Sequence, residues 1–154
     1  MDRTETIANL TDDQAAKCLQ CMLKDYVERE GDIAQVIASD ASTAVATIAT
    51  KTLDEIDRKR LESISADNPI VLKQILRLMA GDPRFAERLD GCLARRNTLI
   101  EPVTTALVMA GLVILLSTHV RISYENKQGK KHLKILLEKP SAPKEILKKI
   151  LGVL

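Results

Sequence analysis

The chain has 154 residues, 23 Lys and Arg against 21 Asp and Glu, and a hydrophobic share of 45%. That composition excludes collagen-like, low-complexity and wholly disordered chains and allows one sizeable core. The aromatic share is only 2%, one Phe, two Tyr and no Trp, which removes the ring platforms on which bases and sugars stack.

The first element in chain order starts at a capping box, Thr11 with Gln14, and runs to about Glu30. Its apolar stripe is Ala15, Cys18, Leu19, Met22, Leu23 and Tyr26, and Gly31 suits a left-handed stop. Asp32 with Gln35 opens a second helix with Ile33, Val36, Ile37, Ala41, Ala44, Val45 and Ile48 inward, and a break is expected near Asp40. Thr52 with Glu55 reads as the next capping box, for a helix that buries Leu53, Ile56, Leu61 and Ile64. Asn68 before Pro69 and Asp82 before Pro83 each combine an N-cap with proline at the first helical position. The first of these helices carries Val71, Leu72, Ile75, Leu76 and Met79 to Gly81. The second carries Phe85, Leu89 and Leu93 to Asn97.

Residues 102–118 contain no charged side chain. A helix from Glu101–Pro102 would be apolar all round, so either protein or lipid must wrap it. The run falls short of the roughly 20 apolar residues that a bilayer crossing wants, so a protein core is the expectation.

Beyond it the period changes from helical to alternating. Val120, Ile122 and Tyr124 alternate with polar residues, as do Leu133, Ile135 and Leu137, around Asn126 to Gly129. This predicts a β-hairpin with strands 119–125 and 131–138. Ser141 then caps a last helix with Ile146, Leu147, Ile150 and Leu151 on one face. The fold class is α+β, mainly α: a bundle of about six helices, a C-terminal hairpin and a short terminal helix. In helix count alone it resembles death-domain-like adaptor bundles, a likeness of fold that carries no site residue.

Charge divides the chain. Residues 1–98 carry 14 Lys and Arg against 17 Asp and Glu, and residues 119–154 carry nine against three. We therefore separate a helical bundle, 1–98, from an apolar helix, hairpin and basic helix, 99–154, packed with it as one unit.

The candidate chemistry is sparse. Cys18 and Cys21 have C-x-x-C spacing, but both lie well inside an amphipathic helix rather than at its N-terminus, where a thiol is activated. With Cys92 the count is odd, and the polar N-terminal stretch lacks a signal core. These features predict buried thiols without a disulfide and a cytoplasmic location, the alternative being membrane association through 102–118. His119 and His132 lie on the polar faces of the two strands, where a suitable register would set them opposite each other. No metal site, cofactor or catalytic set emerges.

The expected function is a non-catalytic interaction or adaptor module that self-associates or binds a protein partner through the hairpin and last helix. Ile146, Leu147, Ile150 and Leu151 are the partner-binding stripe, offered because a small hairpin cannot also cover it. Lys130, Lys131, Lys134 and Lys148 are the contacts to phosphate or an acidic partner. After Arg121 the basic residues are all lysine, which disfavours bidentate base reading and leaves nucleic acid as a sequence-independent alternative.

Overall fold

In a computed structural model, residues 2–29, 35–64, 68–94 and 107–152 are described. The expected Gly31 stop, Asp32 start, inward Ile33, Asn97 end and Glu101–Pro102 start lie outside them. The elements are α1 (Arg3–Ala8), α2 (Asp12–Arg29), a π-helical turn Val36–Asp40 leading into α3 (Ala41–Thr52), α4 (Glu55–Glu62), α5 (Pro69–Ala80), α6 (Pro83–Ala94), α7 (Leu107–Leu116), β1 (Val120–Lys127), β2 (Lys130–Leu137) and α8 (Ser141–Leu151). The fold is α+β and mainly α, with the hairpin and terminal helix at the C-terminal end.

Local chemistry sets most of the helix starts. Thr11 N–H donates to Gln14 Oε1 at 3.0 Å and Gln14 N–H to Thr11 Oγ1 at 3.1 Å, the reciprocal capping box. Asn68 Oδ1 accepts from the amides of Ile70 and Val71, and Asp82 Oδ1 from that of Arg84 at 2.9 Å. The break near Asp40 takes the form of the π turn, after which the chain resumes as an α-helix.

Helix α4 corrects the expected start. Thr52 closes α3, its hydroxyl donating to Ile48 O at 2.8 Å, and Leu53 turns extended. Asp54 is the cap, accepting from Asp57 N–H at 2.8 Å. Ile56 is 65% exposed and Asp57 is 7% exposed. The reason is geometric: at 100° per residue, Asp57, Leu61 and Ile64 share a face that Ile56 cannot join. Helix α1 adds a short element at the polar N-terminus. Asp2 caps it, Ile7 and Leu10 enter the core, and Arg3 grips Asp90 of α6 with two bonds of 2.7 Å. The hydrogen-bonded Arg3 guanidinium holds the Asp90 carboxyl below its ordinary range.

One hydrophobic cluster runs from Ile7 to Ile150. At its centre, α7 packs against α2, α3, α5 and α8, and nine of its ten residues are buried. The described part of the apolar segment is thus wrapped by protein. Among the described residues, no helix is long and apolar enough to cross a membrane.

Gly111 of α7 permits this close packing. A Cβ there would lie 3.1 Å from Ile75 Cγ2 and 3.2 Å from Leu19 Cδ2. Gly111→Leu is expected to lower stability by roughly 1–3 kcal/mol through overpacking, read as an earlier urea midpoint with an unchanged slope. An unaltered midpoint would mean that α7 is not held between α2 and α5.

Candidate functional site

The hairpin is built by its turn. Gln128 and Gly129 have φ of 51° and 76°, the pair of positive angles that a two-residue type I′ turn requires. The register runs from Val120↔Leu137 to Lys127↔Lys130. Side chains alternate across the strands, so Val120, Ile122, Tyr124, Leu133, Ile135 and Leu137 face the bundle, where all are buried or half-buried. Beneath the hairpin, β2 packs on α3. Lys51 Nζ donates to Ile135 O at 3.4 Å, and Tyr124 Oη donates to Asp40.

The outward face carries the opposite set. Arg121, Lys127, Lys130 and Lys134 are exposed there, with His132, Leu136 and the single carboxylate Glu125. Glu125 lies 3.9 Å from Lys127. Of the four lysines singled out as contacts, Lys130 and Lys134 share this face. Lys131 projects to the other side of the strand, where its Nζ is 3.5 Å from Gln35 Oε1. Lys148 is half-buried on α8. The structure therefore does not gather the four lysines into one patch.

The two edges differ. In an antiparallel ladder, alternate pairs exchange bonds and the others point their backbone groups outward. Because the two-residue turn makes Lys127↔Lys130 a bonded pair, the outward-pointing groups belong to the bundle-facing residues. On β2 one of these, Ile135 O, is taken by Lys51 from α3. Beyond β1 no described strand continues the sheet.

The apolar stripe of α8 corrects its expected role. Leu147 and Ile150 are 0% and 4% exposed, and Ile146 and Leu151 are half-buried against the same core. The helix packs on α3, α4, α5 and α7. The chain itself thus covers the stripe that had been assigned to a partner.

The thiols are also rearranged. Cys21 of α2 and Cys92 of α6 form a disulfide, with Cα atoms 5.7 Å apart, whereas the spacing predicted three buried thiols. Cys18, one turn before Cys21, is buried. The histidines do not face each other: His132 pairs with Glu125, and His119 precedes β1 at the far end of the hairpin. Among the described residues, no group of three or more His, Cys, Asp or Glu could hold a metal ion.

An apolar groove of about 370 Å³ lies between α3 and α4, lined by Val45, Ala49, Leu61 and Ile64 with Met109 of α7. Arg58 lines it with a buried Nε that has no hydrogen-bond partner among the described residues. The described lining offers an apolar wall and the Arg58 cation, with Glu62 beside it. No family model matches the chain, and no match was found among curated proteins or solved structures.

Proposed function

We propose that the chain is a non-catalytic interaction module that binds an extended, acidic protein segment along the outward face and β1 edge of its hairpin. The observation that carries this reading is the outward face itself: four exposed cations stand against one carboxylate, beside an edge that no described strand completes. An added strand gains main-chain bonds from the edge and side-chain pairing from the face. Two copies joined along β1 in the register that sets Arg121 opposite Lys127 would bring like charges side by side, which destabilises cross-strand pairs. An acidic strand meets the reverse situation, and charge complementarity there sets partner choice and on-rate.

The test uses a labelled peptide of alternating Glu and Val and a single-stranded DNA oligomer, each titrated with the full chain at matched salt. The peptide is expected to bind, and Arg121→Glu with Lys127→Glu, the cations of β1 itself, to weaken it about tenfold or more. Both residues are exposed, so the variant keeps its fold. Absence of peptide binding, or binding that ignores both substitutions, overturns the reading. DNA bound more tightly, with a log–log salt slope of about 0.9 per phosphate, would establish the nucleic-acid alternative instead. A stable dimer in sedimentation without ligand would establish self-association.

A cytoplasmic location belongs to this proposal and requires the Cys21–Cys92 pair to exist there as a dithiol, since disulfides persist chiefly in oxidising compartments. Alkylation of the chain trapped in acid directly from cells reads that state.

A further inference from the structure

We infer that a cavity of about 520 Å³, between the α5–α6 turn, the turn leading into β1, and α8, binds the phosphate group of a small phosphomonoester. Four basic side chains from three separate stretches of the chain line it: Arg77 at the end of α5, Arg84 in the first turn of α6, His119 before β1, and Lys149 on α8. The lining carboxylate is Asp82. Three permanent cations stand there against that one carboxylate, a surplus that suits an anion and that Glu145, 3.2 Å from Lys149, offsets in part.

The existing partners leave this charge largely unanswered. Asp82 Oδ1 is committed to capping α6 through Arg84 N–H and stands 3.7 Å from Arg84 Nε. Arg84 Nη1 donates to Thr118 O at 3.2 Å, a contact that orients the guanidinium without neutralising it. Lys149 reaches Glu145 at 3.2 Å, but the pair is half-exposed to solvent, where such a bridge contributes little. Arg77 is exposed, and no hydrogen bond or ion pair ties its guanidinium to a described residue. The α6 amides are already used, since Phe85 N–H and Ala86 N–H donate to Asp82 O. The anion is therefore held by side chains and not by the helix terminus.

Guanidinium forks match the oxygens of phosphate in a bidentate geometry that an ammonium point charge does not offer. Like charges brought to one concave wall repel, and a bound dianion removes that repulsion. The cavity also exceeds a phosphate group, and Leu78, Leu115 and Ile146 supply an apolar wall for an organic body. The ester is thus expected to bind more tightly than inorganic phosphate.

The test follows the ring resonances of both histidines in the full chain. His132, on the hairpin, is the internal control. Phenyl phosphate is expected to shift the His119 resonances saturably, because His119 lines the same cavity as Arg77, Arg84 and Lys149. Sodium chloride at matched ionic strength should not, and inorganic phosphate should saturate at higher concentration. Arg77→Gln, at an exposed position, should weaken phenyl phosphate about tenfold or more without altering the urea midpoint of the unliganded chain. Equal movement of both histidines, the same effect from chloride, equal affinity for inorganic phosphate, or an Arg77→Gln chain that binds like the wild type each overturns the assignment. Phosphatidylcholine vesicles with and without phosphatidic acid separate the sources. Cosedimentation that needs phosphatidic acid and is lost in Arg77→Gln assigns the site to a lipid headgroup, and phenyl phosphate binding without cosedimentation assigns it to a soluble ester.

Discussion

Cys92→Ala is expected to destabilise the chain by about 4 kcal/mol under non-reducing conditions. The Cys21–Cys92 bond spans 71 residues, and closing a loop of that length in the unfolded chain is worth roughly 4 kcal/mol on the chain-entropy account. The bond joins α2 to α6, which pack on each other and both on α5, with α2 also on α7, so its constraint reaches the centre of the bundle. Urea unfolding with and without dithiothreitol measures the effect. The wild-type midpoint should fall in reductant towards that of Cys92→Ala, whose own midpoint should not respond. Alkylation of the denatured chain should label one thiol before reduction and three after. A wild-type midpoint that ignores reductant would show that the two sulfurs carry no such constraint in solution.

That bond was hidden in the sequence for a physical reason. Cys18 and Cys21 advertise a local pair, and Cys92 stands far off with no spacing rule to join it. Whether two thiols meet depends on how α2 lies on α6, which no local pattern records. Helix starts are the opposite case. Thr11 with Gln14, Asn68–Pro69 and Asp82–Pro83 satisfy their own amides within three residues, so their chemistry is complete in the sequence. The error at Thr52 shows where this fails. Thr52 and Asp54 each precede an acidic residue three positions on, Glu55 and Asp57, and two overlapping signatures compete. The extended backbone of Leu53 decides between them. Helix α1 is too short to be stable alone. Its support is tertiary, from the burial of Ile7 and Leu10 and the Arg3–Asp90 pair.

The functional surfaces divide in the same way. Strand alternation places the outward set of the hairpin, so the side on which Lys130 and Lys134 fall could be read from parity alone. Arg77, Arg84, His119 and Lys149 share no spacing and no periodic face. Only the packing of α8 beside the α5–α6 turn brings them to one cavity. An amphipathic stripe such as that of α8 has a further ambiguity. It announces that the face will be covered, and it is silent on whether the cover is the same chain or another.

That ambiguity has a decisive test. Leu147→Asp is expected to destabilise the bundle by about 4 kcal/mol or more. Leu147 is 0% exposed and sits where α8 meets the helices around α7. Removing a buried leucine side chain costs about 2–5 kcal/mol, and an aspartate there must also lose its hydration or bind a proton. Truncation after Glu138 removes Leu147 and Ile150 together and exposes the faces of α3, α4, α5 and α7 that they cover. The truncated chain should lose its cooperative urea transition and much of its helical circular dichroism. Lys144→Asp is the control, since it changes an exposed residue in the first turn of α8. An acidic residue near a helix N-terminus is tolerated or mildly stabilising, so its midpoint should match the wild type. Retention of a cooperative, fully helical bundle by the truncated chain would mean that α8 is not needed to close the core. The stripe of Ile146, Leu147, Ile150 and Leu151 would then be available to a partner, and the contact surface would have to be moved from the hairpin face to α8.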